Sequence, residues 1–66
     1  MYNSFLISHN IISELRKCKT LDELEKTKYN FSVSINELFQ LNNLNGFQYT
    51  QLKHVVDKYY KINKRR

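Results

Sequence analysis

The chain of 66 residues carries a formal net charge of +5, with one cysteine, one glycine and no proline. This length allows one domain, and the single cysteine excludes an internal disulfide. So small a chain has little room for a deep catalytic pocket, so we expect neither an enzyme nor a small-molecule substrate. No apolar stretch approaches the roughly 20 residues of a membrane span, and the start MYNSFLISHNII lacks the basic region of a signal peptide, which predicts a cytoplasmic protein without a membrane partner.

The first predicted element is a helix over residues 5–18. Ile7, Ile11, Leu15 and Cys18 recur at spacings of four, four and three residues, which places them on one helical face. Cys18 has two interpretations. The cations around it would favour a reactive thiolate, but its place on the apolar face favours a small buried hydrophobe. We prefer the second and take Cys18 as a structural residue.

A second, short helix is predicted over residues 21–28, with both leucines of LDELEK facing inward. Thr20 precedes it and Glu23 follows Thr20 by three residues, which is the spacing of a capping box. Asp22 and Glu25 are also three residues apart, so they share a surface and could meet a cationic partner. No nucleophile accompanies these carboxylates, which argues against acid/base catalysis.

The segment YNFSVS, residues 29–34, alternates apolar and polar side chains as a strand does. A single strand of this length has no sheet to join. We therefore predict an extended connection that lays its aromatic side chains on the core. An additional pair of strands is the alternative.

Ser34 and Glu37 form a second predicted capping box, which opens a third helix with Ile35, Leu38 and Phe39 facing inward. The pair Asn45-Gly46 tolerates positive φ and is predicted to end that helix, with Gly46 as a structural residue. A last helix over about residues 47–62 would bury Leu52, Val55, Val56 and Tyr59. The predicted fold is all-α, a single small domain of about four short helices over residues 1–62 and a basic tail over residues 63–66.

The positive charge is concentrated at the C-terminal end. Residues 1–52 contain five cations and five anions, whereas six cations from Lys53 onward face Asp57 alone. The stretch KYYKINKRR interleaves tyrosines with cations, a combination that holds single-stranded nucleic acids by stacking and phosphate contact. The alternative is that the tail only keeps the protein soluble. The candidate nucleic-acid-binding residues are Lys58, Lys61, Lys64, Arg65 and Arg66.

The two histidines, His9 and His54, are far apart in the sequence. Neither has another histidine or a cysteine three or four residues away, the spacing that a helical metal site uses. We expect no metal and no other cofactor.

The stretch LRKCKTLDELEK, residues 15–26, resembles the signature of the Hha/YmoA family of small helical modulators of enterobacterial gene expression. That signature has a leucine, two basic residues, cysteine, a polar residue, threonine, an aliphatic residue, aspartate and then leucine, glutamate and a basic residue. KYNFS, INELF and DKYYKI are similar to later parts of the family pattern, so the resemblance extends over about residues 11–62. The family's Ala-Ala-Asp-His-Arg run has no counterpart in NNLNGFQYT, and NKRR replaces its tryptophan-containing end.

The resemblance implies a transcription modulator whose partner is an H-NS-like nucleoid-associated protein. Members of the family bind the dimerisation domain of H-NS through a largely acidic face, which here implies contacts by Asp22 and Glu25, with Cys18 in the core. The protein would contact DNA mainly as part of this complex, or weakly through its tail. The alternative is a stand-alone small nucleic-acid-binding protein, or a phage-type accessory or inhibitor protein, acting through its basic C-terminal helix and tail.

Overall fold

The structure is a computed structural model that describes residues 4–65. It contains three α-helices, α1 (Ser4–Lys17), α2 (Leu21–Gln40) and α3 (Gly46–Lys64), and no strand within the described range. The all-α prediction is confirmed. The predicted number of about four helices is wrong, because the second and third predicted helices are one continuous helix.

The segment predicted to be extended, residues 29–34, lies inside α2. A helix satisfies every backbone amide and carbonyl of this segment internally, whereas an extended segment needs a neighbouring strand. The inward side of α2 is formed by Leu24, Phe31, Ile35 and Leu38, at spacings of seven, four and three residues, and Leu24 and Ile35 are buried. Tyr29, predicted to lie on the core, is 69% exposed.

The capping box predicted at Ser34 and Glu37 does not form. Both residues lie in the interior of α2 and are exposed. Amides in a helix interior already donate to carbonyls four residues earlier, so a side chain at residue 34 finds no unpaired amide to cap.

The true start of α2 has Thr20 as its N-cap. The Thr20 hydroxyl accepts a hydrogen bond from the Glu23 amide at 3.1 Å. The Glu23 carboxylate reaches past the cap and accepts from the Lys19 amide at 3.2 Å. This arrangement satisfies two amides at the helix start and fixes the short connection between α1 and α2.

The turn between α2 and α3 also differs from the prediction. Asn42 has a φ of 61°, and the Asn43 amide donates to the Leu38 carbonyl at 2.9 Å, so asparagine supplies the left-handed residue that ends α2. Gly46 is instead the first residue of α3. Asn45 is the N-cap of α3 and forms a capping box with Gln48, with distances of 2.8 and 3.1 Å. The Asn45 side chain is thus used to start a helix.

One core joins the three helices, and α3 packs against both α1 and α2. The buried side chains of this core come from α1 (Ile11, Leu15), α2 (Leu24, Ile35), the α2–α3 turn (Leu44) and α3 (Leu52, Val56, Tyr60).

Besides Tyr29, two side chains predicted to face inward are exposed, Leu21 at 51% and Phe39 at 40%. At about 100° per residue around the helix axis, Leu21 lies about 60° from Leu24 and Phe39 about 40° from Ile35. Both side chains are rotated in the same direction away from the buried side of α2. The Phe39 ring stacks on Tyr49 with centroids 4.5 Å apart.

The last helix is longer than predicted. α3 extends through Lys64, and Arg65 is its C-cap. Residues 63 and 64 of the predicted tail are therefore helical, while Arg66 lies outside the described residues.

Candidate functional site

The two predicted protein-binding carboxylates lie on the solvent side of α2. Asp22 and Glu25 are both exposed. At about 100° per residue, Tyr29 and Val33 fall within about 20° of Asp22, and Glu25 lies about 60° to one side. Tyr29 is 69% and Val33 37% exposed. We name Asp22, Glu25, Tyr29 and Val33 the α2 face.

The α2 face combines charge with apolar area. Asp22, Glu25, Lys26, Tyr29 and Asn30 line a shallow surface depression. Lys26 is the cation in this group, so the carboxylates outnumber it. Tyrosine is enriched where protein interfaces concentrate their binding energy, and carboxylates beside it select a cationic partner.

Glu25 is held in place by the neighbouring helix. The hydroxyl of the buried Tyr60, on α3, donates to Glu25 Oε1 at 3.3 Å. The Lys28 ammonium lies 4.2 Å from the centroid of the same Tyr60 ring. Glu25, Lys28, Tyr29 and Tyr60 line a groove between α2 and α3. The edge of the α2 face is thus anchored on α3, which reduces the side-chain freedom that a partner must restrict.

The predicted nucleic-acid-binding cations lie on the solvent side of α3. Lys58, Lys61, Lys64 and Arg65 are all exposed. Lys61 pairs with Asp57 at 3.1 Å, a contact in water that adds little stability. The fifth residue of that prediction, Arg66, lies outside the described residues.

The tyrosines of KYYKINKRR do not form the stacking surface that their interleaving with cations suggested. Tyr60 is 8% exposed and belongs to the core, and Tyr59 packs half-buried against it. Their rings instead lie beside cations, with Lys58 5.8 Å from Tyr59 and Lys64 5.7 Å from Tyr60. The core covers the Tyr60 ring and part of the Tyr59 ring, which leaves little area for a stacked base.

Cys18 lies directly after α1 and is half-buried against the core. Its Sγ is 3.4 Å from the Glu14 carbonyl oxygen and 3.3 Å from Thr27 Oγ1. The thiol therefore links the end of α1 to α2, in keeping with a packing role.

His9 and His54 are both exposed. Within residues 4–65, no three histidine, cysteine, aspartate or glutamate side chains are grouped closely enough to hold a metal ion. Over the same range, no helix has the length and apolarity needed to cross a membrane.

Comparison of the chain with protein-family models, curated proteins and solved structures finds no match. The resemblance to the Hha/YmoA family is carried by the residues quoted above alone.

Asp22 and Glu25 were identifiable from sequence because their spacing and their place after a cap predict an exposed helix surface. Tyr29 was missed as part of the α2 face because the alternation of residues 29–34 assigned it to a core-facing connection. Its separation of seven residues from Asp22, two helical turns, was the available signal.

Proposed function

We propose that this protein is a Hha/YmoA-like transcription modulator that docks through the α2 face onto an H-NS-type nucleoid protein. The observation that supports it best is the joint exposure of Asp22, Glu25 and Tyr29 on one side of α2. The two carboxylates would pair with basic side chains of the partner, and the tyrosine ring would supply apolar contact area. This role requires no catalytic residue and no cofactor.

The basic side of α3 gives the complex its second function in this proposal. Lys58, Lys61, Lys64 and Arg65 add positive charge that attracts nucleic-acid phosphates without reading base sequence. The docked protein would in this way increase the affinity of the nucleoid protein for DNA.

The docking experiment is a titration of the purified dimerisation domain of an H-NS-type protein with wild-type protein and with the double variant Asp22→Lys/Glu25→Lys. We expect the double variant to bind at least about tenfold more weakly, because two attractive contacts become repulsive. Wild-type affinity should also fall as salt rises, since exposed charges are screened.

Two controls separate docking from net charge and from the hydrogen bond between Tyr60 and Glu25. Glu14→Lys/Asp57→Lys changes the net charge by the same amount at carboxylates on α1 and α3, whose side chains are 45% and 51% exposed, and should bind like wild type. Tyr60→Phe removes the hydrogen bond to Glu25 and leaves its carboxylate in place, so it should retain most of the affinity. Equal binding by wild type and the Asp22/Glu25 double variant would contradict the proposal.

The alternative function, a stand-alone nucleic-acid-binding protein, is favoured by the basic side of α3 alone. It predicts that wild-type protein recovers nucleic acid but no H-NS-type protein from a cell extract. It also predicts that Asp22→Lys/Glu25→Lys changes nothing except a modest gain in nucleic-acid affinity.

A further inference from the structure

The solvent side of α3 also carries an aromatic side chain that neither the core nor the α2 face uses. Phe47 is 71% exposed in the first turn of α3. At about 100° per residue, His54, Lys58, Lys61 and Arg65 all lie within about 40° of Phe47 around the helix. These four side chains are exposed as well. We name Phe47, His54, Lys58, Lys61 and Arg65 the α3 stripe.

The α3 stripe is long and positively charged. A rise of 1.5 Å per residue gives about 27 Å from Phe47 to Arg65. Asp57 is the only carboxylate in α3; it flanks the stripe and pairs with Lys61 at 3.1 Å. Lys58 and Arg65 have no such acidic neighbour on this helix. The charge of the stripe therefore fits an extended polyanion.

We propose that the α3 stripe binds single-stranded nucleic acid, with an unpaired base stacked on Phe47 and phosphates paired with Lys58, Lys61 and Arg65. This inference rests on the nucleic-acid contact in the proposed function and deepens it by naming the class of strand. Stacking and phosphate pairing are common to DNA and RNA, so both single strands fit the stripe.

The exposed ring is what selects a single strand. In a duplex each base is stacked between its neighbours, so the ring of Phe47 would meet only sugars and phosphates and would gain little. In a single strand every base offers a free face, and stacking on an aromatic side chain adds affinity whatever the base. Since Tyr60 is buried and Tyr59 is half-buried, Phe47 is the exposed aromatic ring of the stripe, about 16.5 Å along α3 from Lys58.

The test measures the affinity of wild-type protein and Phe47→Ala for a labelled oligodeoxythymidylate of about 12 nucleotides, within the site sizes of single-strand-binding surfaces, and for a duplex of the same length. We expect wild type to prefer the single strand and Phe47→Ala to bind it about tenfold more weakly, as loss of one base stack implies. Duplex affinity should not change. The slope of affinity against salt should also stay the same, because no charge is removed.

Matched variants identify the two components of the stripe. Leu41→Ala removes an apolar side chain that is 70% exposed at the C-cap of α2 and is not a member of the stripe, and should bind both probes like wild type. Lys58→Gln/Arg65→Gln should weaken both probes and flatten the salt slope, by about 0.7 per lost phosphate contact on the single strand. In Phe47→Trp, the single tryptophan should be quenched by the oligonucleotide.

Three outcomes would overturn the inference. Equal affinity for both probes with no effect of Phe47→Ala would leave phosphate contact, and with it the proposed function, standing without the stacked base. No binding of either probe would refute nucleic-acid contact altogether, while the docking titration would still report on the α2 face. Phe47-dependent binding to anionic phosphatidylserine vesicles without binding to the oligonucleotide would assign the stripe to a membrane surface.

Discussion

Thr20 shows how one side chain organises a helix start. Its hydroxyl accepts the Glu23 amide at 3.1 Å, and replacing a threonine cap by alanine typically costs about 1 kcal/mol. We therefore expect Thr20→Ala to lower the free energy of unfolding by about 1 kcal/mol, measured by urea titration followed by circular dichroism. Thr20→Asp should restore most of the loss, since aspartate is a good N-cap.

Ser34→Ala is the matched control, because Ser34 had the same sequence signature as Thr20 but lies exposed in the interior of α2. Alanine is the better helix former there, so stability should stay the same or rise by a few tenths of a kcal/mol. A loss of about 1 kcal/mol for Ser34→Ala would mean that a helix starts at that residue and that α2 is broken.

The two signatures differ only in their surroundings. Thr20 follows Cys18 and Lys19, which lie outside α1, so the first amides of α2 have no preceding helical turn to donate to and need a side-chain acceptor. Ser34 follows residues 29–33, which belong to α2. The amides that its side chain could cap therefore already donate to backbone carbonyls. A capping box can therefore be located from sequence only where the preceding residues are known to be non-helical.

At the scale of elements, the start of α3 offers a sharp test. Gly46 has no positive φ, and a Cβ added there would meet nothing within 4 Å. Gly46→Ala should therefore raise the free energy of unfolding by about 0.5–1 kcal/mol, because alanine loses less backbone entropy on folding. Chemical denaturation measures this change. Destabilisation would mean that Gly46 adopts the left-handed conformation of a helix stop.

The helical content was predictable from the absence of proline and the spacing of apolar residues, and so were the start of α2 and the basic side of the last helix. The continuity of α2 was not predicted, because the period-two alternation of residues 29–34 dominates that short window. The longer window from Leu24 to Leu38 contains the helical spacing that decides the structure. Local pattern was overridden by burial over several turns.

The exposure of surface side chains also depends on packing over several helical turns. The exposure of Asp22 and Glu25 was predictable, because charged residues near a cap are exposed in almost any packing. Tyr29 and Phe47 were missed, since an aromatic residue in a small protein is expected to enter the core. Only the rotation of each helix against the core, set by residues such as Ile35 and Leu52, determines which aromatic side chains face solvent.

At the scale of the whole molecule, stability depends on a very small core. Leu52 is 0% exposed on the helix that contacts both others. Leu52→Ala should cost about 2–5 kcal/mol, a large share of the roughly 3–10 kcal/mol expected for a domain of this size. We expect a strong loss of helical circular dichroism signal at 37 °C.

Leu41→Ala, at a leucine that is 70% exposed, should change stability by less than about 0.5 kcal/mol. If Leu52→Ala unfolds at the same urea concentration as Leu41→Ala, the packing of α1 and α2 against α3 is refuted.

The central position of α3 has a consequence for synthesis. α1 and α2 contact each other less than either contacts α3, yet α3 is the last of the three helices to be translated. While it is still inside the ribosome, Ile11 and Leu15 of α1 have no complete surface to pack against. A nascent chain lacking α3 would therefore present exposed apolar side chains to chaperones and proteases. Folding of the three helices would follow the release of α3 rather than proceed helix by helix.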